Sequence, residues 1–471
     1  MTSDPFTQRI AELLGPAGLI ADAAGMAPYL EEERGLFHGK ARLVARPAST
    51  GELAELVRIC VEENVAIVPQ GGNTGLCGGA SPTDDSQIVV SLSRMNKIRA
   101  VDPVNFTMTV EAGVVLQTVQ AAAESVDCLF PVSLGAEGSC QIGGNISTNA
   151  GGTGVLRYGN TREQVLGLEV VLPDGRIWDG LKALRKDNTG YDLKQLFIGG
   201  EGTLGIVTAA VLKMYPRARD QQTAFCALKN LQSSLALLGR ARNATGDQVT
   251  GFELVPRIGL EMGCELVPGV ADPFDQPYEW YALIELSSSR PDAGLTDILE
   301  GLLGEAIEEG EVLDAVVASS LDQRKALWKI REGIPEAQKK AGGSIKHDVS
   351  VPVAQVPFFI ERASRAVEKA LDGVRVVPFG HLGDGNIHFN LSQPVGADKE
   401  AFIDRWEEMN RIVHDIVVGM QGSISAEHGI GRLKKGELAH YKSPVELDLM
   451  RKIKQALDPR GIMNPGKIFL N

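Results

Sequence analysis

Two of the seven histidines in this 471-residue chain flank one Gly-Asp-Gly turn, in the run His381-Leu-Gly-Asp-Gly-Asn-Ile-His388. The neighbouring VVPFG and NIHFN read as strands, so the turn brings both imidazoles to one end of a hairpin. Alternation puts His388 and Asn390 on the same strand face. Far downstream, SAEHGIG supplies Glu427 and His428 side by side in a glycine-bounded loop. Any one of these residues alone reads as a satisfied polar group at a loop end. Two imidazoles and a carboxylate together suit a divalent first-row ion, zinc foremost, with coordination positions left for a substrate. Positive charge for an anionic substrate lies in IREGIPEAQKKAGGSIKHDVSVP (330–352). There Arg331 offers a bidentate clamp for a carboxylate and Lys346 a point charge. Composition alone does not separate these two from ordinary solvated helix charge.

A second chemistry belongs to the glycines. They number 53, above the usual share of about 7%, and the excess lies between 70 and 205. In QGGNTGLCGGA (70–80), small residues let successive backbone N–H groups converge on an anion such as a pyrophosphate. The loop is not GxxxxGK[ST], so nucleotide hydrolysis is not its chemistry. A plain turn explains this loop alone equally well. PVSLGAEGSCQIGGNISTNAGGTGVLRYGN (131–160) reads as a second, ordered binding loop, and the pair favours a large phosphate-containing cofactor. A literal GxGxxG at Gly200, Gly202 and Gly205 is a decoy for a dinucleotide fold. It leads into IVTAAVLKMYP, a strand pattern, where the fingerprint needs a helix.

These loops need elements to hold them. Between 43 and 115, strand patterns (43–47, 65–69, 88–93, 107–113) alternate with a helix at 52–64 capped by Ser49 or Thr50. This reads as α/β, with the first glycine loop at a strand end, where ligands commonly sit. After Pro216 helical patterns dominate, around 229–242, 293–309, 322–341, 355–371, 401–420 and 445–457, interrupted by strands such as YALIEL (281–286). An α+β second domain with a boundary near 216–222 follows. A length of 471 exceeds one ordinary core. The net charge of −13 argues against non-specific nucleic-acid or anionic-membrane binding. No apolar run is long enough to span a bilayer. The six cysteines are scattered without a CxxC pair, which reads as free thiols in a reducing compartment. The N-terminus shows no basic-then-apolar leader, and the expected location is cytoplasmic.

Several long motifs carry a resemblance: PQGGNTGL (69–76), LGAEGSCQIGGNISTNAGG (134–152), RYGN (157–160), LRKDNTGYDLKQLFIGGEGTLGIVT (184–208), FGHLGDGNIHFN (379–390), AEHGIG (426–431) and NPGKIF (464–469). From about 40 to 470 the chain resembles the FAD-dependent D-2-hydroxyacid dehydrogenases of the vanillyl-alcohol-oxidase fold. The resemblance implies an α+β protein: an FAD-binding domain of two subdomains over 1–217, a substrate or cap domain over 218–425, and a segment over 426–471 that returns to the flavin. It assigns the cofactor to Pro69, Gly71, Gly72, Asn73, Thr74 and Gly75. It adds Pro131, Leu134, Gly135, Ser139, Gly143, Gly144, Ser147, Thr148, Asn149 and Gly151, with Glu201, Gly202, Ile206 and Asn464 closing the site. The FAD is expected to be non-covalent, since neither loop holds a histidine and Cys77 and Cys140 do not resemble attachment points.

The resemblance also makes His381, His388 and Glu427 ligands of zinc, with manganese or cobalt as substitutes, and His428 the general base. Arg331, Lys346 and Asn390 become substrate residues. D-2-hydroxyglutarate is the first expectation, giving its hydride to flavin N5. D-lactate, glycolate or D-malate would suit the same fold. Redox-neutral flavin chemistry and a non-catalytic flavin subunit rank below these. Pro335 stands where the family pattern has a hydroxyl residue, which weakens the five-carbon diacid. An electron-transfer flavoprotein or quinone is the implied acceptor, and a homodimer the implied assembly.

Overall fold

The computed structural model describes residues 4–32 and 34–470. Residues 1–3, where the leader reading begins, lie outside it. The chain divides into two compact units. One takes Met1–Gly152, Gly159–Arg217 and Glu427–Asn471; the other takes Thr153–Tyr158 and Ala218–Ala426.

The first unit holds two main sheets and a two-stranded pairing of Cys128–Leu129 with Tyr215–Pro216. In the smaller main sheet, Val44–Ala45, Gln87–Ser91 and Ala66–Gln70 run parallel, and Leu19–Ile20 joins antiparallel at the edge. The parallel strands need a crossover, and the helix Thr50–Glu62 supplies one. Ser49 caps it, its hydroxyl accepting the Glu52 N–H at 3.1 Å. Leu53, Leu56, Val57 and Cys60 recur at helical spacing and are buried against Ile67, Ile88 and Val90. The core is completed from far away in the chain. Ile67 N–H donates to the Ile462 carbonyl and Asn464 N–H to that of Ile67, so Ile462 and Met463 join the same cluster.

The second sheet of this unit is antiparallel, in the order Ile98–Asp102, Thr107–Glu111, Ile206–Lys213, Val165–Val171, Ile177–Gly180. The strand Ile206–Lys213 follows directly on the GxGxxG, as its β-branched residues demand. The stretch 131–160 departs from a plain loop, because Ile142–Thr148 and Val155–Tyr158 are helical. Local propensity in IGGNIST is poor. Burial of Ile142 and Ile146 in the sheet's core overrides it, and Asn149 ends the turn in the left-handed region at φ 50.

The second unit is one antiparallel sheet. Its order is Val312–Val317, Asp220–Leu228, Trp280–Ser288, Val249–Pro256, Arg375–His381, Asn386–Ser392, Ser344–Ile345. Asp348–Ser350 pairs beside the last of these on Asn386–Ser392. Helices follow the expected pattern at Leu231–Thr245, Leu295–Glu308, Leu321–Lys340 and Val356–Ala370. The expected helix at 401–420 is broken into Lys399–Ile403 and Trp406–Gly419. Tyr281 stacks on Phe225 with ring centroids 5.2 Å apart, and Leu327, Ile330 and Ile334 of the long helix pack into the same core.

Register in this sheet sets two facing pairs. Glu253 lies directly opposite His381, and Asp348 opposite His388. Directly opposed residues on adjacent strands have side chains within contact distance, so the pairing puts a carboxylate beside each imidazole.

Candidate active site

In the first unit an open cleft follows the glycine loops. Its wall takes Pro69, Gly71, Gly72, Asn73, Thr74 and Gly75 from one loop and Gly143, Gly144, Ser147 and Thr148 from the other. Glu201, Gly202, Ile206 and His428 complete it from later segments. The loops touch at Gly72, where a Cβ would stand 2.1 Å from the Ser139 carbonyl oxygen. At Gly144 a Cβ would meet nothing within 4 Å, so the backbone there is open to a ligand.

Pro131, Leu134, Gly135, Ser139, Asn149, Gly151 and Asn464 are not among the lining residues. Ser139 backs Gly72 through its carbonyl, Leu134 packs on the antiparallel sheet's core, and Asn464 donates to the Gly79 and Glu201 carbonyls. The wall also includes Cys77, weighed above only as an attachment point, and Gln70, Gln141 and Asn145, which sequence reasoning passed over. Gln141 and Asn145 are i, i+4 neighbours around the glycine pair. Recognising the helix Ile142–Thr148 was the signal that would have found them.

Two atoms fit a missing polar ligand. Gln141 Oε1 and Asn464 Oδ1 are buried with no hydrogen-bond partner among the described residues. A buried acceptor left this way costs about 1–3 kcal/mol, and such atoms in native proteins call for a bound group. Gln141, on the cleft wall, can accept from a hydroxyl or ring N–H of a bound group, while the open backbone at Gly144 leaves room for a phosphate.

Glu201 lines the cleft and also holds a neighbouring loop in place. It is held in the left-handed region at φ 49, a conformation unusual for a non-glycine residue. Its Oε1 accepts the Ile430 N–H at 2.8 Å and its Oε2 the Gly431 N–H at 2.7 Å. Burial pushes the carboxyl above its ordinary value, against those two N–H groups and the charges of Lys467 and Lys434. Lys467 in turn is brought down to about 7, by burial first and then by Arg432 and Lys435. The carboxylate thus anchors the loop that carries His428 into the cleft wall.

In the second unit His381 and His388 end up with ring centroids 5.6 Å apart. His381 is buried, and its Nδ1 lies 2.6 Å from Glu253 Oε1. The other oxygen of Glu253 accepts from Arg331 Nε at 2.6 Å. Burial would raise the Glu253 carboxyl, but His381 and Arg331 outweigh it and hold it at about 2. The Arg331 guanidinium also lies 4.8 Å over the Phe379 ring. His388 is half-buried, with Nδ1 3.8 Å from Asp348 Oδ1. Asp348 is fixed by the Asn386 side-chain amide at 3.0 Å. Asn390 is buried, donating to Gln338, which donates on to Ser392. Lys346 lies half-buried between the strands Ser344–Ile345 and Asp348–Ser350. Pro335 sits inside the helix Leu321–Lys340, four residues on from Arg331. Glu427 and His428 open the last segment of the first unit, both half-buried.

Comparison with known proteins bears on these features. Residues 41–180 match the model of the FAD binding domain, and 217–468 that of the FAD linked oxidases, C-terminal domain. The mitochondrial D-2-hydroxyglutarate dehydrogenase of Arabidopsis thaliana is 38% identical over 463 residues, covering 97% of this chain and 80% of that protein. The Bos taurus enzyme of the same name is 38% identical over 459 residues, covering 97% and 82%. Among solved structures, p-cresol methylhydroxylase superposes with a TM-score of 0.76 at 16% identity, covering 99% of this chain and 96% of that one. That likeness shows the fold. The cytoplasmic expectation is overturned, because these relatives are named mitochondrial. Free thiols persist wherever the compartment is reducing, so scattered cysteines had no power to choose between locations.

The contact at Gly72 makes a prediction. Gly72→Ala should force the two loops apart and yield protein with well under one flavin per chain, read from the ratio of visible to ultraviolet absorbance. Gly304→Ala, in an open helical position, should keep full flavin. A fully flavinylated Gly72→Ala protein would show that the loops do not need this approach. With a flavin cleft, a domain order and whole-length relatives in agreement, the chain belongs to the FAD-linked oxidase family, among the flavin-dependent D-2-hydroxyacid dehydrogenases.

Proposed function

We propose that this protein oxidises a D-2-hydroxy acid, D-2-hydroxyglutarate first, to the 2-oxo acid. The reading rests most on one observation: His428 lines the same cleft as the two glycine loops. A base at that place can act on a substrate lying against the flavin. In this reading His381, His388 and Glu427 hold a divalent ion, with zinc the best fit to two imidazoles and a carboxylate. The ligand chemistry of His381 supports it. A carboxylate acceptor at Nδ1 makes that nitrogen the protonated one and leaves the lone pair on Nε2, the usual arrangement behind a metal-bound imidazole.

Bound FAD supplies a hydride acceptor at N5, and a bound divalent ion supplies a Lewis acid for the alcohol. The chain's own residues do the rest. His428 takes the C2 hydroxyl proton, a role that typically contributes about 10²–10⁴-fold. Loss of that proton and of a hydride from C2 leaves the 2-oxo acid, with charge and electrons balanced. Arg331 and Lys346 bind carboxylates, and Asn390, fixed through Gln338, borders the substrate.

Anaerobic mixing with D-2-hydroxyglutarate should bleach the flavin, faster than D-malate, D-lactate or glycolate does. His428→Ala should retain FAD and lose at least a hundredfold in the bleaching rate. Bleaching at the wild-type rate in that variant would remove His428 as the base. Bleaching by D-lactate alone would move the substrate to the shorter acid, in line with Pro335 in place of a hydroxyl residue.

The metal has its own test. Prolonged dialysis against a chelator should abolish turnover, and zinc or manganese should restore it. Full activity in protein shown to be metal-free would end that part of the reading. The cofactor is taken to be non-covalent. Cys140 is buried beside the Asn145 amide and burial pushes its thiol up, while Cys77 Sγ donates to the Gly429 carbonyl at 3.5 Å. Acid precipitation should therefore release all the flavin to the supernatant; yellow colour retained in the pellet would refute this.

A further inference from the structure

We infer that Glu253 is a positioning residue that couples the metal ligand His381 to the substrate clamp Arg331 through one shared carboxylate. The inference rests on the metal reading above and adds a residue that no sequence motif marked. Its basis is geometric. Glu253 lies on Val249–Pro256, opposite His381 in register, while Arg331 comes from the helix Leu321–Lys340. One carboxylate oxygen is 2.6 Å from His381 Nδ1 and the other 2.6 Å from Arg331 Nε. The Glu253 and Arg331 side chains are 1% and 8% exposed, so water does not compete for either bond.

A buried carboxylate is costly to retain unless both oxygens are used, and here each serves a different group. Orientation of a metal-bound imidazole by a carboxylate behind it is commonly reflected in 10- to 100-fold of metal affinity. Removing that carboxylate therefore reaches the metal through His381 and the substrate through Arg331. Neither effect needs Glu253 to touch metal or substrate.

The chemistry of an amide gives the test its sharpness. Glutamine has the shape of glutamate but one acceptor oxygen, and both partners are donors. Glu253→Gln must therefore leave one partner without an acceptor, and the permanently charged guanidinium keeps the single oxygen at the expense of the imidazole. Replacing Arg331 as well, in Arg331→Met/Glu253→Gln, lets the remaining oxygen turn to His381. Zinc binding is measured on flavin-loaded protein freed of metal by chelator dialysis, titrated against a competing zinc dye. Wild type should bind one zinc per chain. Glu253→Gln should bind it about 10- to 100-fold more weakly with flavin content unchanged. The double variant should recover at least a few-fold of that loss.

A role confined to general folding would not predict recovery on adding a second substitution. Wild-type zinc affinity in Glu253→Gln, or a double variant that binds no better than the single, would overturn the inference. If Glu253→Gln does not accumulate as folded protein, Arg331→Met/Glu253→Gln is compared with Arg331→Met/Glu253→Ala, which keeps no acceptor for His381: zinc bound at least a few-fold tighter by the former supports the coupling, and equal affinity refutes it. Wild-type protein that takes up no zinc would instead refute the metal reading, a result distinct from either of these.

Discussion

A single buried carboxylate, Glu201, ties together pieces of the cofactor unit that lie more than two hundred residues apart. Its two oxygens accept the Ile430 and Gly431 N–H groups, and its own carbonyl accepts from Asn464. Hydrogen bonds to a charged partner contribute about 1.5–3 kcal/mol each, more than most surface contacts offer. The strained backbone at Glu201 shows what the rest of the fold supports to keep this grip. Without it the loop bearing His428 has no fixed relation to the glycine loops, and the cleft loses the wall on which its chemistry depends.

The second unit uses carboxylates in a similar way but builds them into sheet register. Glu253 faces His381 and Asp348 faces His388 because the strands pair as they do, and each acid is itself held, one by Arg331 and one by Asn386. Breaking such a buried pair by removing one partner commonly costs about 3–5 kcal/mol. The arrangement therefore holds each imidazole against one acid.

Much of this was legible in the residues. The histidine spacing and the Gly-Asp-Gly turn pointed to a hairpin, and the β-branched run after Gly205 marked a strand and not a nucleotide-binding helix. Both follow from short-range rules, periodicity and turn chemistry. What escaped notice was set by tertiary context. The helix Ile142–Thr148 has a sequence that disfavours helix, and only the burial of Ile142 and Ile146 brings it about. Glu253 lies in VTGFELVP, which reads as an ordinary strand, and its importance comes from a pairing with a residue 128 positions away. Glu201 matched a motif and was placed at the flavin, yet its carboxylate is committed to backbone N–H groups that a sequence cannot display.

The parallel bridge between Ile67 and Met463 carries a consequence for how the molecule comes into being. A hydrophobic cluster founded on strands from the opening quarter of the chain stays incomplete until Ile462 and Met463 arrive from the far end. Contacts so distant in sequence form slowly, because loop closure must precede them. During synthesis the early strands therefore wait with an uncovered apolar edge, while the intervening unit has time to organise its own sheet. Maturation of the flavoprotein is in this sense a closing of the chain upon itself.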